Sequence, residues 1–377
     1  MKILVNAFSV AYSGGLILTL NIINTFKLYS NINFLVIAPD VDYYNKVISK
    51  NVRIIRIPGL YLKKIFRIYT DIFLIKKIIK DYNPDLILSL GNLPALTKRY
   101  QVFLHDNPLA SVIKFDKIGY NGLIDIIINK LRNKILDKRL NNVNHLITQT
   151  KVQLNKLQEV YPDQIQKIKR KSIITPSTPD FQINSKGEIH NIQLLDSSRI
   201  NLLCLSRYYP HKNIEILLDL AVIFKKSKSP FNIILTISPE HGKRAGHLIR
   251  RIRKYKLSDY ITNIGEISPF SLTKIMDCVD AIILPSLIES YSLIFIEAMF
   301  FHKPIFTSDL DFAREVCKNA AFYFNPFNAE NIFNVISSAF NKHDEMQKRI
   351  KYGTDIIKSL DSWDAIINTI LKHRSTI

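Results

Sequence analysis

Short apolar runs alternate with longer amphipathic stretches along most of the chain. Lys2–Val5, Asn33–Ala38, Val52–Ile57, Asp85–Ser89, Gln101–His105 and His145–Thr148 are brief, rich in Ile, Leu and Val, and bounded by turn residues. Runs of that kind read as strands buried on both faces of a parallel sheet. Between them, Leu16–Tyr29, Leu62–Asp81 and Gly122–Leu140 carry helical periodicity. In the last of these the apolar residues at 123, 124, 127, 128, 131 and 135 are expected to form one packed face, with basic residues opposite. Strand and helix in alternation predict a doubly wound α/β sheet.

The alternation breaks at Thr175-Pro176-Ser177-Thr178-Pro179 and stays irregular to Arg199. It then resumes with Ile200–Leu205, a helix over about 211–227, Phe231–Ile237, a helix over about 243–255, Ile261–Asn263, Ala281–Leu284, Pro304–Thr307 and Ala321–Phe324. The expected organisation is therefore a Rossmann-like domain over 1–175, a linker over 176–199, a second Rossmann-like domain over 200–343, and a helical tail over 344–377 that packs back toward the first domain. A length of 377 residues suits two domains of ordinary size.

Composition narrows the class. Cys204, Cys278 and Cys317 are far apart and in no C-x-x-C arrangement, which speaks against a disulfide scaffold or a zinc site and fits a reducing, cytoplasmic setting. The apolar start Lys2–Val5 is too short for a signal peptide, and it reads as a first buried strand. The nearest approach to a membrane span, Ala281–Phe301, is interrupted by Glu289 and Glu297. With 52 basic against 32 acidic side chains, the formal net charge of +20 favours anionic partners, an anionic membrane surface among them. An Ile-, Asn- and Lys-rich composition produces the same excess without any partner. No nucleic-acid-binding module is recognisable, so nucleic acid is not an expected partner.

Four constellations carry candidate chemistry. The first, Pro285 to Met299, follows the strand Ala281–Leu284 and so lies at the carboxyl end of a parallel strand, where open α/β sheets bind ligands. Ser290 and Ser292 are candidate caps for a helix starting near Tyr291, whose free N–H groups at Ser292 and Leu293 suit a phosphate. Glu289 precedes that helix and Glu297 lies inside it among apolar residues, where an unpaired charge is costly. An acidic helix start is also what the helix dipole alone favours. The second constellation is Arg207 with Lys212, on a loop entering a helix. A guanidinium fork and a compact ammonium can neutralise a diphosphate, although a basic surface loop gives the same text. The third, Ser13-Gly14-Gly15, is either a phosphate-approaching glycine loop or a plain turn, and it is no G-x-G-x-x-G. The fourth is His105-Asp106 at a strand end, a sugar-contacting pair or a structural one.

Together, Arg207 and Lys212, the E-x7-E pair Glu289/Glu297, Gly14-Gly15 and His105-Asp106 resemble family 4 of the retaining glycosyltransferases. His302-Lys303-Pro304-Ile305, Thr307-Ser308-Asp309, Arg314-Glu315-Val316 and Ala320 to Pro326 extend the likeness, which is specific over 200–342 and looser over 1–175. The resemblance implies the GT-B fold, two facing Rossmann-like domains with an inter-domain cleft. It implies a nucleotide-diphosphate sugar as co-substrate, no cofactor and no metal, and a glycan or lipid-linked acceptor in bacterial surface polysaccharide synthesis. Residue by residue, Arg207 and Lys212 would hold the donor diphosphate, Glu297 the ribose hydroxyls, and Glu289 the donor sugar. Ser292 and Leu293 would give N–H groups to a phosphate, Gly14 and Gly15 would approach it from the first domain, and His105 would contact the transferred sugar. Asp40-Val41-Asp42 reads as a strand-end turn, not a metal-binding D-x-D. Two positions depart from the family: Ser292 stands where glycine is usual, and the asparagine–glycine turn before the second domain is missing. A nucleotide-sugar 2-epimerase of the same fold and a catalytically idle partner subunit are the competing readings.

Overall fold

The structure is a computed structural model that describes residues 1–62, 66, 69–120, 122–176, 189 and 191–371. Most of its strands are brief and buried on both faces, so their β-branched and leucine runs are also the strand limits. The first sheet contains β1 (Lys2–Asn6), β2 (Asn33–Pro39), β3 (Val52–Ile57), β4 (Leu86–Gly91), β5 (Gln101–His105), β6 (His145–Thr148) and β7 (Arg170–Ile173). The second contains β8 (Ile200–Cys204), β9 (Phe231–Leu235), β10 (Ile261–Asn263), β11 (Ala281–Leu284), β12 (Ile305–Ser308) and β13 (Ala321–Phe324). The strand orders are β3-β2-β1-β4-β5-β6-β7 and β10-β9-β8-β11-β12-β13, and every ladder is parallel.

Period-two alternation divides each strand between two cores. In the second sheet Leu202, Cys204, Ile233, Ala281 and Ile283 face one apolar cluster. Their neighbours Leu203, Ile234, Ile282 and Leu284 face the other. Strand β7, Arg-Lys-Ser-Ile, is absent from the sequence expectation because it has no apolar run. It sits at the edge of its sheet with its residues exposed or half-buried, so it needs no apolar run.

The chain divides into two compact units, Met1–Ile113 with Gly122–Ser177 and Asp361–Ile377, and Lys114–Asn121 with Thr178–Leu360. These limits differ from the expected ones in three places. Residues 114–121 belong with the second unit although they follow β5 of the first. The expected linker is not spacer throughout: most of it lies outside the described residues, but Ile189 is buried in the second unit's core and Asn191 Nδ2 donates to the Ile264 carbonyl at 3.0 Å. The tail divides as well. The helix His343–Lys358 stays with the second unit, where a Cβ on Gly353 would come within 2.9 Å of Met299. The helix Trp363–Leu371 joins the first, where Tyr29 Oη donates to Asp364 Oδ1 at 2.6 Å.

The helix Leu123–Leu140 corrects a second expectation. Its packed side is Asn129, Leu136, Arg139 and Leu140, whereas Leu123, Ile124, Ile127 and Leu131, expected to be covered, are exposed. Among the described residues no helix is long and apolar enough to cross a membrane.

Candidate active site

In each sheet the chain first builds outward in one direction and then returns to build in the other. The reversal falls between β1 and β4 in the first unit and between β8 and β11 in the second. Loops leaving the carboxyl ends of such strand pairs diverge and leave a crevice, which is where open α/β sheets take ligands.

The two charged loops of the second unit leave β8 and β11. Leu287 N–H donates to the His211 carbonyl at 2.8 Å, a backbone tie between them. Lys212 Nζ reaches Glu289 Oε1 at 2.5 Å, and Ser286 Oγ donates to the same oxygen at 2.7 Å. Glu289 and Ser286 are buried and Lys212 nearly so, which strengthens their attraction relative to an ion pair in water. Arg207 also has a carboxylate partner, Glu266, which is itself half-exposed. Glu266 Oε2 lies 3.0 Å from Nε2 of the buried His241, whose Nδ1 accepts the N–H groups of Tyr208 and Ser238 at 3.2 Å each. Those two donors assign the ring proton to Nε2, so His241 donates to Glu266 and holds it for Arg207. Both expected diphosphate cations therefore rest against carboxylates.

The helix after β11 starts later than expected. It runs from Leu293 to Phe300, with Ser292 at the N-cap. The Ser292 side chain makes no capping hydrogen bond, contrary to the capping role expected for it. Its backbone explains the difference: φ is +67°, the left-handed region in which a side chain is strained. A turn built for glycine is here occupied by serine. Ser292→Gly is thus expected to raise stability by about 0.5–1 kcal/mol, partly offset by glycine's larger unfolded-state entropy, with the Leu293 N–H retained. A thermal melt checks it, and a lower melting temperature would show that serine is preferred for a side-chain contact. Glu297 follows about one turn of apolar neighbours and is buried, as expected, among Ile294, Phe295, Ile296, Ala298 and Met299.

Gly119 and Tyr120 pack on the turn that carries Lys212. Gly119 has φ +86°, and a Cβ there would lie 2.8 Å from the Pro210 carbonyl oxygen, so two constraints require glycine. Tyr120 Oη and His211 Nδ1 share a hydrogen bond of 3.1 Å, and Arg244 donates to the Gly119 carbonyl at 3.0 Å. Burial, then the neighbouring Lys212, pushes the His211 pKa down to about 3, so the ring is neutral. These contacts, with Ser286, Glu266 and His241, escape a reading by motif.

In the first unit the glycines are not in a loop. The helix begins at Ser13, so Gly14 and Gly15 occupy its first turn. A Cβ on Gly15 would lie 2.7 Å from Asp106 Oδ2 and 3.6 Å from Val10 Cγ1, and glycine is what admits the carboxylate against the helix start. Burial raises the Asp106 pKa to about 6. His105 is fully buried at the end of β5. Its Nδ1 accepts Asn107 N–H at 3.2 Å, which leaves the proton on Nε2, and Nε2 has no partner among the described residues. Burial pushes this histidine down to about 3, so it is a neutral donor. Gly15 and His105-Asp106 thus come together in one unit, and Arg207, Lys212, Glu289, Ser292, Leu293 and Glu297 in the other.

Residues 185–355, which include the whole of this charged cluster, match the family described as glycosyl transferases group 1. The match to this family is carried by that stretch, a little under half of the chain. It is 22% identical over 264 residues to the O-antigen chain mannosyltransferase RfbU of Salmonella typhimurium strain LT2, covering 70% of this chain and 67% of the relative. HepE of Anabaena, solved in complex with UDP-glucose, superposes with a TM-score of 0.75 at 15% identity and complete coverage of both chains. Sucrose-phosphate synthase of Thermosynechococcus elongatus superposes with a TM-score of 0.74 at 14% identity, over 99% of this chain and 98% of that one. These likenesses show the GT-B fold, and the protein is a glycosyltransferase.

Proposed function

We propose that this glycosyltransferase moves a sugar from a nucleotide-diphosphate sugar to a glycan or lipid-linked acceptor, with retention of anomeric configuration, in the assembly of a bacterial surface polysaccharide. The observation that carries the donor reading is the buried Lys212–Glu289–Ser286 cluster at the β8/β11 reversal, beside the start of the helix Leu293–Phe300. The acceptor class is supported by the likeness to RfbU, an O-antigen chain mannosyltransferase, and the donor class by the likeness to HepE, solved in complex with UDP-glucose.

In this reading the diphosphate takes the place of the carboxylates as partner of Lys212 and Arg207. Charge developing on the leaving phosphate is then met by cations already in position, without a metal ion. The N–H groups of Ser292 and Leu293 donate to a phosphate oxygen at the helix start. Glu297 receives the ribose hydroxyls, and Glu289, released from Lys212, faces the donor sugar. In the first unit, Gly14 and Gly15 let a phosphate approach the helix start beside the Asp106 carboxylate, and the Nε2–H of His105 offers a sugar hydroxyl the partner that it lacks. The acceptor hydroxyl attacks on the face that the diphosphate leaves. Its proton passes to the departing phosphate oxygen.

Proton NMR of donor panels in chelator, with and without a lipid-linked glycan acceptor, tests this. The expected result is acceptor-dependent product whose anomeric coupling matches the donor's. Inverted product would remove the front-face route. Conversion of the donor to its 2-epimer without acceptor would replace transfer by epimerisation.

A further inference from the structure

We propose that the exposed face of the helix Leu123–Leu140 docks this protein on an anionic lipid surface. Leu123, Ile124, Ile127 and Leu131 are 72%, 71%, 54% and 58% exposed. At 3.6 residues per turn these four positions fall within an arc of about 100°. Lys130, Lys134 and Lys138, also exposed, lie within that arc or at its edge, farther along the same helix. The face is therefore aliphatic in its first turns and cationic in its last, while the opposite side of the helix is packed.

Soluble monomers rarely leave four large aliphatic side chains contiguous and uncovered. The helix is not a frayed element turned outward. Arg139 forms a buried ion pair with Asp71 and donates through Nη1 to the Pro94 carbonyl at 3.1 Å, which fixes the carboxyl-terminal end. Asp71 lies between Tyr69 and Phe73, which are 53% and 60% exposed with ring centroids 5.4 Å apart. A pair of exposed aromatic rings thus flanks the residue to which the helix is anchored, and such rings favour the headgroup level of a bilayer.

Charge complementarity selects the occupant. The chain carries a net charge of +20, and three lysines stand beside the aliphatic residues. Lysines can lay their methylene stems along an apolar surface while the ammonium groups meet headgroup phosphates. A helix with this division lies in the plane of the interface and does not cross it. The docking goes beyond the donor chemistry proposed above and is read without turnover.

Vesicle flotation with the full chain tests it, using neutral phosphatidylcholine against phosphatidylcholine with about 30% phosphatidylglycerol. The wild type is expected to float with the anionic vesicles and to lose that binding at high salt. Leu123→Ser combined with Ile127→Ser should lower the bound fraction about tenfold at an unchanged melting temperature, because both side chains are exposed. Lys130→Gln, Lys134→Gln and Lys138→Gln together should abolish the preference for anionic over neutral vesicles. Equal flotation of wild type and the Leu123/Ile127 variant would overturn the proposal. So would failure of the wild type to bind anionic vesicles, or a dimer in solution that the same variant dissociates.

Discussion

Lys212→Ala is expected to lower turnover by about 10²–10³-fold, the usual consequence of removing one preorganised group from a developing charge. Lys212 has two successive tasks in the proposed mechanism. Before the donor arrives it neutralises Glu289, a buried carboxylate that otherwise has the Ser286 hydroxyl on the same oxygen. Afterwards it faces the diphosphate. The alanine variant therefore also destabilises, by up to about 3 kcal/mol, since removing one partner strands the other in a poorly solvated place. Stability and chemistry can be separated. Lys212→Met with Glu289→Gln removes both charges at similar volume, so the melting temperature should recover while turnover stays low. Near-normal turnover in the double variant would take Lys212 out of the diphosphate site.

Glu297→Gln is expected to raise the donor KM by about 10–100-fold with a smaller change in kcat. Hydrogen bonds to a charged acceptor contribute about 1.5–3 kcal/mol each, and the ribose offers two hydroxyls. The ribose does not react, so what is lost is binding common to ground and transition states, which appears in KM. Glutamine keeps the size of the side chain among Ile294, Phe295 and Ala298, all buried, so the packing of the helix is retained. A fall in kcat at constant KM would assign Glu297 to the reacting sugar instead.

Much of the fold was legible because a strand buried on both faces is rich in apolar residues, and short apolar-rich segments anticipated twelve of the thirteen described strands. The exception, β7, is an edge strand whose residues are exposed or half-buried, so it carries no such segment. Periodicity was a weaker guide to what covers a helix. The apolar stripe of Leu123–Leu140 is real, but a stripe states only that side chains share a face, and most of this one is exposed. The charged site was legible where its residues are neighbours in sequence, as in Glu289 to Glu297. It was not legible where the partner comes from elsewhere in the chain: Glu266 is 59 residues from Arg207, and Tyr120 is 91 from His211. Ser292 is intermediate. Its departure from glycine was visible in the sequence, but only the backbone, with φ at +67°, shows that the turn keeps the conformation glycine would take.

Calorimetric titration of the wild type and of Lys212→Met/Glu289→Gln with UDP-, GDP-, ADP- and dTDP-sugars tests the central claim most directly. The wild type should bind one nucleotide class, with binding weakened at least about tenfold in the variant because a charge-assisted contact to the diphosphate is gone. Equal affinity in the two proteins, or no binding of any nucleotide sugar by the wild type, would contradict a donor site built on this cluster.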